Sequence, residues 1–174
     1  EAAAARIACG VLAVTKGKTF VVGQDVREHS RGLVESMIER LLAAGVDVLD
    51  VGLCGTEEVY FWTGHTEADA GLMVTASHNP AEYNGVKFVG KSAEPLSKEG
   101  MEGVRDWAGS DAPLPVSDTP GTLTRVTDRR PYIDRLMGLV DLSQTRPLHI
   151  VLNAGNGCAG PTVEALAARM PSHI

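Results

Sequence analysis

Long apolar runs are what this sequence lacks first: no stretch approaches the roughly 18 consecutive apolar residues that a membrane-spanning helix needs, so no membrane partner is expected. Basic runs are missing as well. The chain holds 22 Asp and Glu against 16 Lys and Arg, for a formal net charge of -6, and no cluster of cations is long enough to serve as a nucleic-acid patch. An anionic ligand would therefore need basic groups gathered locally. Cysteine is scarce: Cys9, Cys54 and Cys158 are odd in number, far apart and in no CxxC pair, which predicts reduced thiols in a cytoplasmic setting, each a small core hydrophobe. A secretory leader is also not evident. "EAAAARIACGVLAV" places Arg6 before a short apolar stretch, but it has no starting Met and no basic leading region, and polar "TKGK" follows, so it reads as a first helix.

What is present is a globular composition in an alternating pattern. With 174 residues, 44% hydrophobic and 22% charged, the chain can bury a core of about one domain. A helix over about Ala2 to Val14 leads to the strand "TFVVGQD". Ser30 is then the expected cap of "RGLVESMIERLLAAG", where Leu33, Met37, Leu41 and Leu42 share a face and Gly45 ends the helix. The strand "VDVLDVGL", the helix "TEEVYFWTGH" and the buried-looking strand "AGLMVTAS" follow. Such alternation predicts an α/β fold, a three-layer α/β/α arrangement around a mixed, mostly parallel sheet with right-handed crossovers.

Beyond this core the texture changes. "YNGVKFVGKS" carries an Asn84-Gly85 turn and a short strand, a hairpin signal. A helix at "KEGMEGVRDWAG" precedes the Pro-rich loop "SDAPLPVSDTPGT", and a strand at "LTRVTD" and a helix at "RPYIDRLMGLV" form a connector. "LHIVLNA" then reads as a new strand. The expected division is a first domain over 1–140 and the first strand and helix of a second α/β domain over 141–174, with the strand Leu148 to Ala154 leaving a sticky face prone to self-association.

In parallel sheets ligands sit beyond the carboxyl ends of the strands. Here those ends carry Asp25 and Arg27, then Gly55 and Thr56, then Ser77 and His78. Ser77 could be a nucleophile or a carrier of a phosphoryl group; the ordinary alternative is a loop serine bonded to its own backbone. "TASHN" does not supply the G-x-S-x-G elbow of a serine hydrolase. His78 could move a proton or simply be held by a backbone carbonyl. Asn79-Pro80 and Asn84-Gly85 are turn formers that scaffold Ser77. Lys87 alternates with Val86 and Phe88 and so points away from their face, either into solvent or back toward Ser77. Arg27 could grip a phosphate with its planar fork or pair with Asp25.

A rival motif lies further on. "AGNGCAG" places Gly155, Gly157 and Gly160 in G-x-G-x-x-G spacing after "LHIVLNA" and before a helix, the context of a dinucleotide site. The acidic residue that completes that fingerprint about 20 positions on is not reached. The same glycines serve equally well for a tight turn.

"TASHNPAEYNGVKF" resembles the active-site serine signature of the α-D-phosphohexomutases, the family of phosphomannomutase and phosphoglucomutase. "GQDVR", "AGVDVLDVGLCGTEEVYF", "YIDRL" and "LNAGNGCAGP" match it too, in order and at family spacing. The "GTEEVYF" form of the second loop resembles the bacterial phosphomannomutase branch. The resemblance implies that Ser77 is held as a phosphoserine that coordinates Mg²⁺ through its phosphate. It implies an isomerase that interconverts hexose 6-phosphate and hexose 1-phosphate, primed by hexose 1,6-bisphosphate. Ser77, His78 and Lys87 would be catalytic, and Asp25, Arg27 and Asn79 would lie near substrate or phosphate. It also places the glycine-rich turn at the start of the family's second domain, which removes most of the case for a dinucleotide.

The same resemblance covers only the first of the family's four domains and the opening of the second. The metal loop with its three aspartates, the glutamate loop that reads the sugar hydroxyls, the phosphate-gripping loop of the fourth domain and an arginine-bearing segment before the first helix are not matched, and the closing "ARMPSHI" fits no expected continuation. Two expectations follow: a mutase segment inactive by itself, or a non-catalytic remnant or binding module of the same fold.

Overall fold

The computed structural model describes residues 1–171. The chain forms two compact units, Glu1–Val126 and Thr127–Ile174. By compactness, then, the helix at "RPYIDRLM" groups with the second unit, whereas the sequence reading sets the division at 140.

In the first unit the order is α1 (Ala2–Thr15), β1 (Thr19–Gln24), α2 (Ser30–Ala43), β2 (Asp47–Leu53), α3 (Thr56–His65), β3 (Ala70–Val74), β4 (Val86–Gly90), a 3-10 turn (Lys91–Ala93), α4 (Lys98–Gly109) and β5 (Leu123–Arg125). The five strands lie in the order β4-β3-β1-β2-β5. All neighbours run parallel except β4, which is antiparallel to β3. Phe20 and Val22 of β1 face a core built with α1, α2 and α4, and Val21 faces a second core with Val59 and Trp62 of α3. Alternating side chains of one strand thus feed both layers, the period-two geometry that a three-layer α/β/α fold requires.

Local chemistry sets the element ends. Gly45 takes φ 81 after α2, and the Gly45 and Val46 amides return to the Leu42 and Leu41 carbonyls, the left-handed stop that glycine adopts without steric cost. Ser97 caps α4 by accepting from the Gly100 amide. At the other end of that helix Arg6 of α1 donates to the carbonyls of Trp107 and Ala108 with its guanidinium 5.1 Å from the Trp107 ring centre. One arginine thereby caps α4 and fastens it to α1.

The structure corrects four expectations. Ser30 does not cap α2: the N-cap is His29, without a side-chain bond, and the Ser30 hydroxyl donates to Asp25 instead. The buried face of α2 is Val34, Met37, Ile38 and Leu41, with Leu33 and Leu42 at its margins. Cys9 and Cys54 are buried, but Cys158 is only half-buried; burial pushes the Cys9 thiol above its ordinary pKa, which keeps it an inert packing group. Lastly, residues 148–154 form no strand. A ladder needs a neighbour to bond, and no strand pairs with them among the described residues; Ile150, Val151 and Leu152 are exposed. The second unit contributes α5 (Arg130–Met137) and α6 (Ala159–Ala167). Residues 172–174 of the closing "ARMPSHI" lie outside the described residues.

Gly71 lets α3 approach β3. A Cβ there would collide with the Thr63 hydroxyl and come within 3.1 Å of Val59 and Val89 methyls, and the hydroxyl cannot swing aside freely because it is buried and bonded to the Val59 carbonyl at 2.7 Å. Gly71→Ala is expected to destabilise the fold by about 1–3 kcal/mol, the usual cost of overpacking. Urea unfolding followed by tryptophan fluorescence checks it; an unchanged midpoint would show that the helix can shift.

Candidate active site

The carboxyl ends of β1, β2 and β3 lie side by side, because Gln24 is in register with both Leu53 and Val74. The segment from Thr75 to Gly85 leaves β3 at this edge and returns as β4. Its two stems are joined at once, the Thr75 amide donating to the Gly85 carbonyl at 2.9 Å, so the whole segment is the connection of an antiparallel hairpin. The sequence predicts a turn at Asn84-Gly85, but Gly85 does not take a left-handed φ. Asn84 serves the loop differently: its amide donates to the Ser30 hydroxyl at 2.9 Å, and Ser30 donates in turn to Asp25 at 2.6 Å.

Ser77 stands exposed near the β3 stem of the loop with φ 57. Its amide is held by the Thr75 hydroxyl at 2.9 Å, and its Oγ lies 3.3 Å from Nδ1 of His78. Asn79 folds back, backbone amide and side-chain amide both donating to the Ala76 carbonyl. Asn79 is therefore tied into the loop's own backbone.

Arg27 organises this loop from the neighbouring strand end. Its Nε–H donates to Asp25 at 3.2 Å, Nη1 to the carbonyls of Pro80 at 2.7 Å and Tyr83 at 3.0 Å, and Nη2 to those of Ser77 at 2.9 Å and Asn79 at 2.7 Å. A guanidinium has five N–H donors, and all five have protein acceptors. Asp25 is equally committed: its Oδ1 accepts from the Arg27 amide and from Ser30, and its Oδ2 from Arg27 Nε. Both side chains are only 12% exposed.

The structure thus brings Ser77, His78, Asn79, Asp25 and Arg27 into one connected group, and it adds Ser30, Thr75 and Asn84, which the sequence reading left as cap, strand and turn residues. Lys87 stands apart from that network. It is exposed and opposite Met73 in the β3–β4 ladder, on the sheet face away from Val86 and Phe88, which pack into the other core.

Neither rival ligand finds a complete site. Among the described residues no group of three or more His, Cys, Asp or Glu side chains could hold a metal ion; Ser77 offers one oxygen, and the Asp25 carboxylate is already occupied. At "AGNGCAG" Gly155 and Asn156 take φ 56 and 61, and the Asn153 side chain accepts from the Gly155 amide. That is a tight turn before α6, without the preceding parallel strand that a dinucleotide fingerprint requires. Among the described residues no helix is long and apolar enough to cross a membrane.

Comparison with known proteins agrees with this geometry. Residues 1–111 match the family model for phosphoglucomutase/phosphomannomutase, alpha/beta/alpha domain I. The chain is 44% identical over 172 residues to a protein named phosphohexose mutases from Xanthomonas campestris, covering 98% of this chain and 38% of that one. It is 45% identical over 157 residues to the phosphomannomutase of Salmonella typhimurium, covering 89% of this chain and 34% of the relative. A crystal structure of a phosphoglucomutase/phosphomannomutase family protein from Burkholderia thailandensis superposes with a TM-score of 0.76 at 32% identity, over 95% of this chain and 37% of that one. The chain therefore spans little more than a third of the length of these relatives. A serine presented by a tied loop at the carboxyl edge of this sheet, together with the match over domain I, places the chain in the phosphoglucomutase/phosphomannomutase family.

Proposed function

We propose that this segment supplies the phosphoserine of a phosphohexomutase, with Ser77 as the carrier, and that the reaction interconverts hexose 6-phosphate and hexose 1-phosphate. The observation that carries this reading is the exposed Ser77 at φ 57 on a loop tied on every side. A left-handed non-glycine residue costs roughly 1–2 kcal/mol, and such strain persists where surrounding bonds over-determine it. It presents the hydroxyl outward at a fixed angle.

In the forward step the bond between phosphorus and Ser77 Oγ breaks while a new one forms to a sugar hydroxyl oxygen, and that hydroxyl loses its proton to a base. The released Oγ takes up a proton. The bisphosphate then turns over, the P–O bond to the oxygen on its other carbon breaks as a bond to Ser77 Oγ forms, Oγ loses its proton and the freed sugar oxygen takes one up. His78, with Nδ1 beside Oγ, is placed to move the proton at that atom. Lys87 is exposed on β4, the strand to which the loop returns, and in this reading its ammonium neutralises transferring phosphate charge. Hexose 1,6-bisphosphate is the priming reagent of this reading and hexose phosphates, mannose or glucose, its substrates. Mg²⁺ belongs to it as an ion whose ligands, apart from the phosphate on Ser77, come from outside this segment. In the same reading residues 141–174 open the second domain, and the compartment is cytoplasmic.

Phosphoryl transfer is almost entirely positioning and electrostatic stabilisation. A serine loop without a metal cage or a sugar clamp should therefore show no mutase turnover by itself, and a coupled assay with Mg²⁺ and bisphosphate primer tests the 174 residues directly. Turnover near the median enzyme rate of about 10 per second would overturn this. In a complete phosphohexomutase carrying this segment, labelled bisphosphate should mark Ser77, and Ser77→Ala should abolish turnover; label on another residue refutes the assignment. His78→Ala and Lys87→Ala should each slow that enzyme by about 10²-fold or more. Lys87→Arg should not fully restore it. Stability should move oppositely at the carrier: Ser77→Gly is expected to be about 1 kcal/mol more stable than Ser77→Ala, since glycine alone accepts φ 57 without a Cβ penalty. Thermal or urea unfolding of the two variants decides it.

A further inference from the structure

We infer that Arg27 is the positioning residue of the Ser77 loop and not a ligand of substrate phosphate: its guanidinium, saturated by Asp25 and the carbonyls of Ser77, Asn79, Pro80 and Tyr83, fixes where Ser77 Oγ stands. The inference rests on the phosphohexomutase reading for its functional consequence, but its structural content stands without it.

An arginine at the carboxyl edge of a parallel sheet is ordinarily read as an anion clamp, because its planar fork matches phosphate. Here that reading fails on donor count. Five N–H groups meet five acceptors at 2.7 to 3.2 Å, so a phosphate could engage Arg27 only by breaking bonds that shape the loop. The side chain is 12% exposed, which leaves little of it to meet a ligand. The loop's own amides offer these carbonyls little else: those of Ser77 and Asn79 donate to the Thr75 hydroxyl and the Ala76 carbonyl, and only the Pro80 carbonyl accepts a loop amide besides Arg27, that of Tyr83. Four carbonyl dipoles turned inward toward one point repel one another in the absence of a cation. Asp25 completes the arrangement by orienting Nε and, through Ser30 and Asn84, by holding the far stem of the loop. Arg27 thus acts on Ser77 through the backbone.

Lysine cannot replace it. A compact ammonium has three donors and no planar fork, so it can serve at most part of the carbonyl set.

Two measurements test this. In the 174-residue chain, amide hydrogen exchange by NMR should show Ser77, Asn79 and Tyr83 losing protection in both Arg27→Ala and Arg27→Lys, while amides of β1 and β3 keep theirs; added methylguanidinium should restore loop protection in Arg27→Ala but not in Arg27→Lys, where the lysine side chain blocks the vacated space. Unchanged loop protection in Arg27→Lys, with the sheet intact, overturns the inference. If Arg27→Ala does not fold, the lysine variant alone decides. In the phosphomannomutase of Salmonella typhimurium carrying these residues in place of its own matching segment, Arg27→Lys should lower kcat by about 10²-fold, the cost expected of a displaced reacting atom, and leave KM for hexose phosphate within about threefold. A large rise in KM with kcat retained would identify Arg27 as a phosphate ligand and refute the inference. Failure of the unsubstituted graft to take label on Ser77 from bisphosphate would count against the phosphohexomutase reading, while the exchange result would still decide the role of Arg27.

Discussion

Peptide carbonyls that converge on one point repel, and a loop that turns its backbone inward must place hydrogen-bond donors at the point of convergence. The Thr75 to Gly85 segment meets this constraint with one guanidinium. Four of its carbonyls face Arg27, which a fifth bond to Asp25 holds in plane. Ser77 can stay left-handed because its carbonyl and amide are both bonded, and Asn84 can reach Ser30 because the far stem is already drawn in.

The sheet makes the arrangement possible. Parallel β1 and β3 deliver Asp25 and Thr75 to the same edge, and the Asp25 amide bonds the Val74 carbonyl at 3.1 Å. Antiparallel β4 then returns the loop beside its own origin, so both stems share one hydrogen-bonded pair of strands. The charge arrangement has a chemical meaning too. With Arg27 engaged by the protein, the exposed His78 and Lys87 are the groups on which the proposed function draws to meet an anionic ligand, in a chain whose net charge is -6.

Much of this was readable from residue order. Helices α3 and α4 begin and end where their patterns do, at Thr56–His65 and Lys98–Gly109, because helix-forming composition and, for α4, the Ser97 cap are local properties. Ser77, His78 and Arg27 were visible as polar residues at strand ends. What Arg27 does was not, since convergence of carbonyls some 50 positions away has no local signature, and a single Asp-x-Arg spacing fits an ion pair and a phosphate clamp equally. Ser30 misled for a related reason: a serine before a helix is usually its cap, and only the tertiary position of Asp25 diverts the hydroxyl. Leu148 to Ala154 misled because apolar, β-branched composition describes what fits a sheet, whereas a strand exists only beside another strand.

The bonds from Arg27 to the loop join residues 50 to 56 positions apart. Contacts of that span pay their loop-closure entropy before they return any stabilisation. Arg27 cannot gather the carbonyls until β1 and β3 are paired, and that pairing encloses the whole of α2, β2 and α3. Formation of the serine loop is therefore expected to follow the pairing of β1 and β3. In that order of events the left-handed presentation of Ser77 depends on a completed pairing of the strands beneath it.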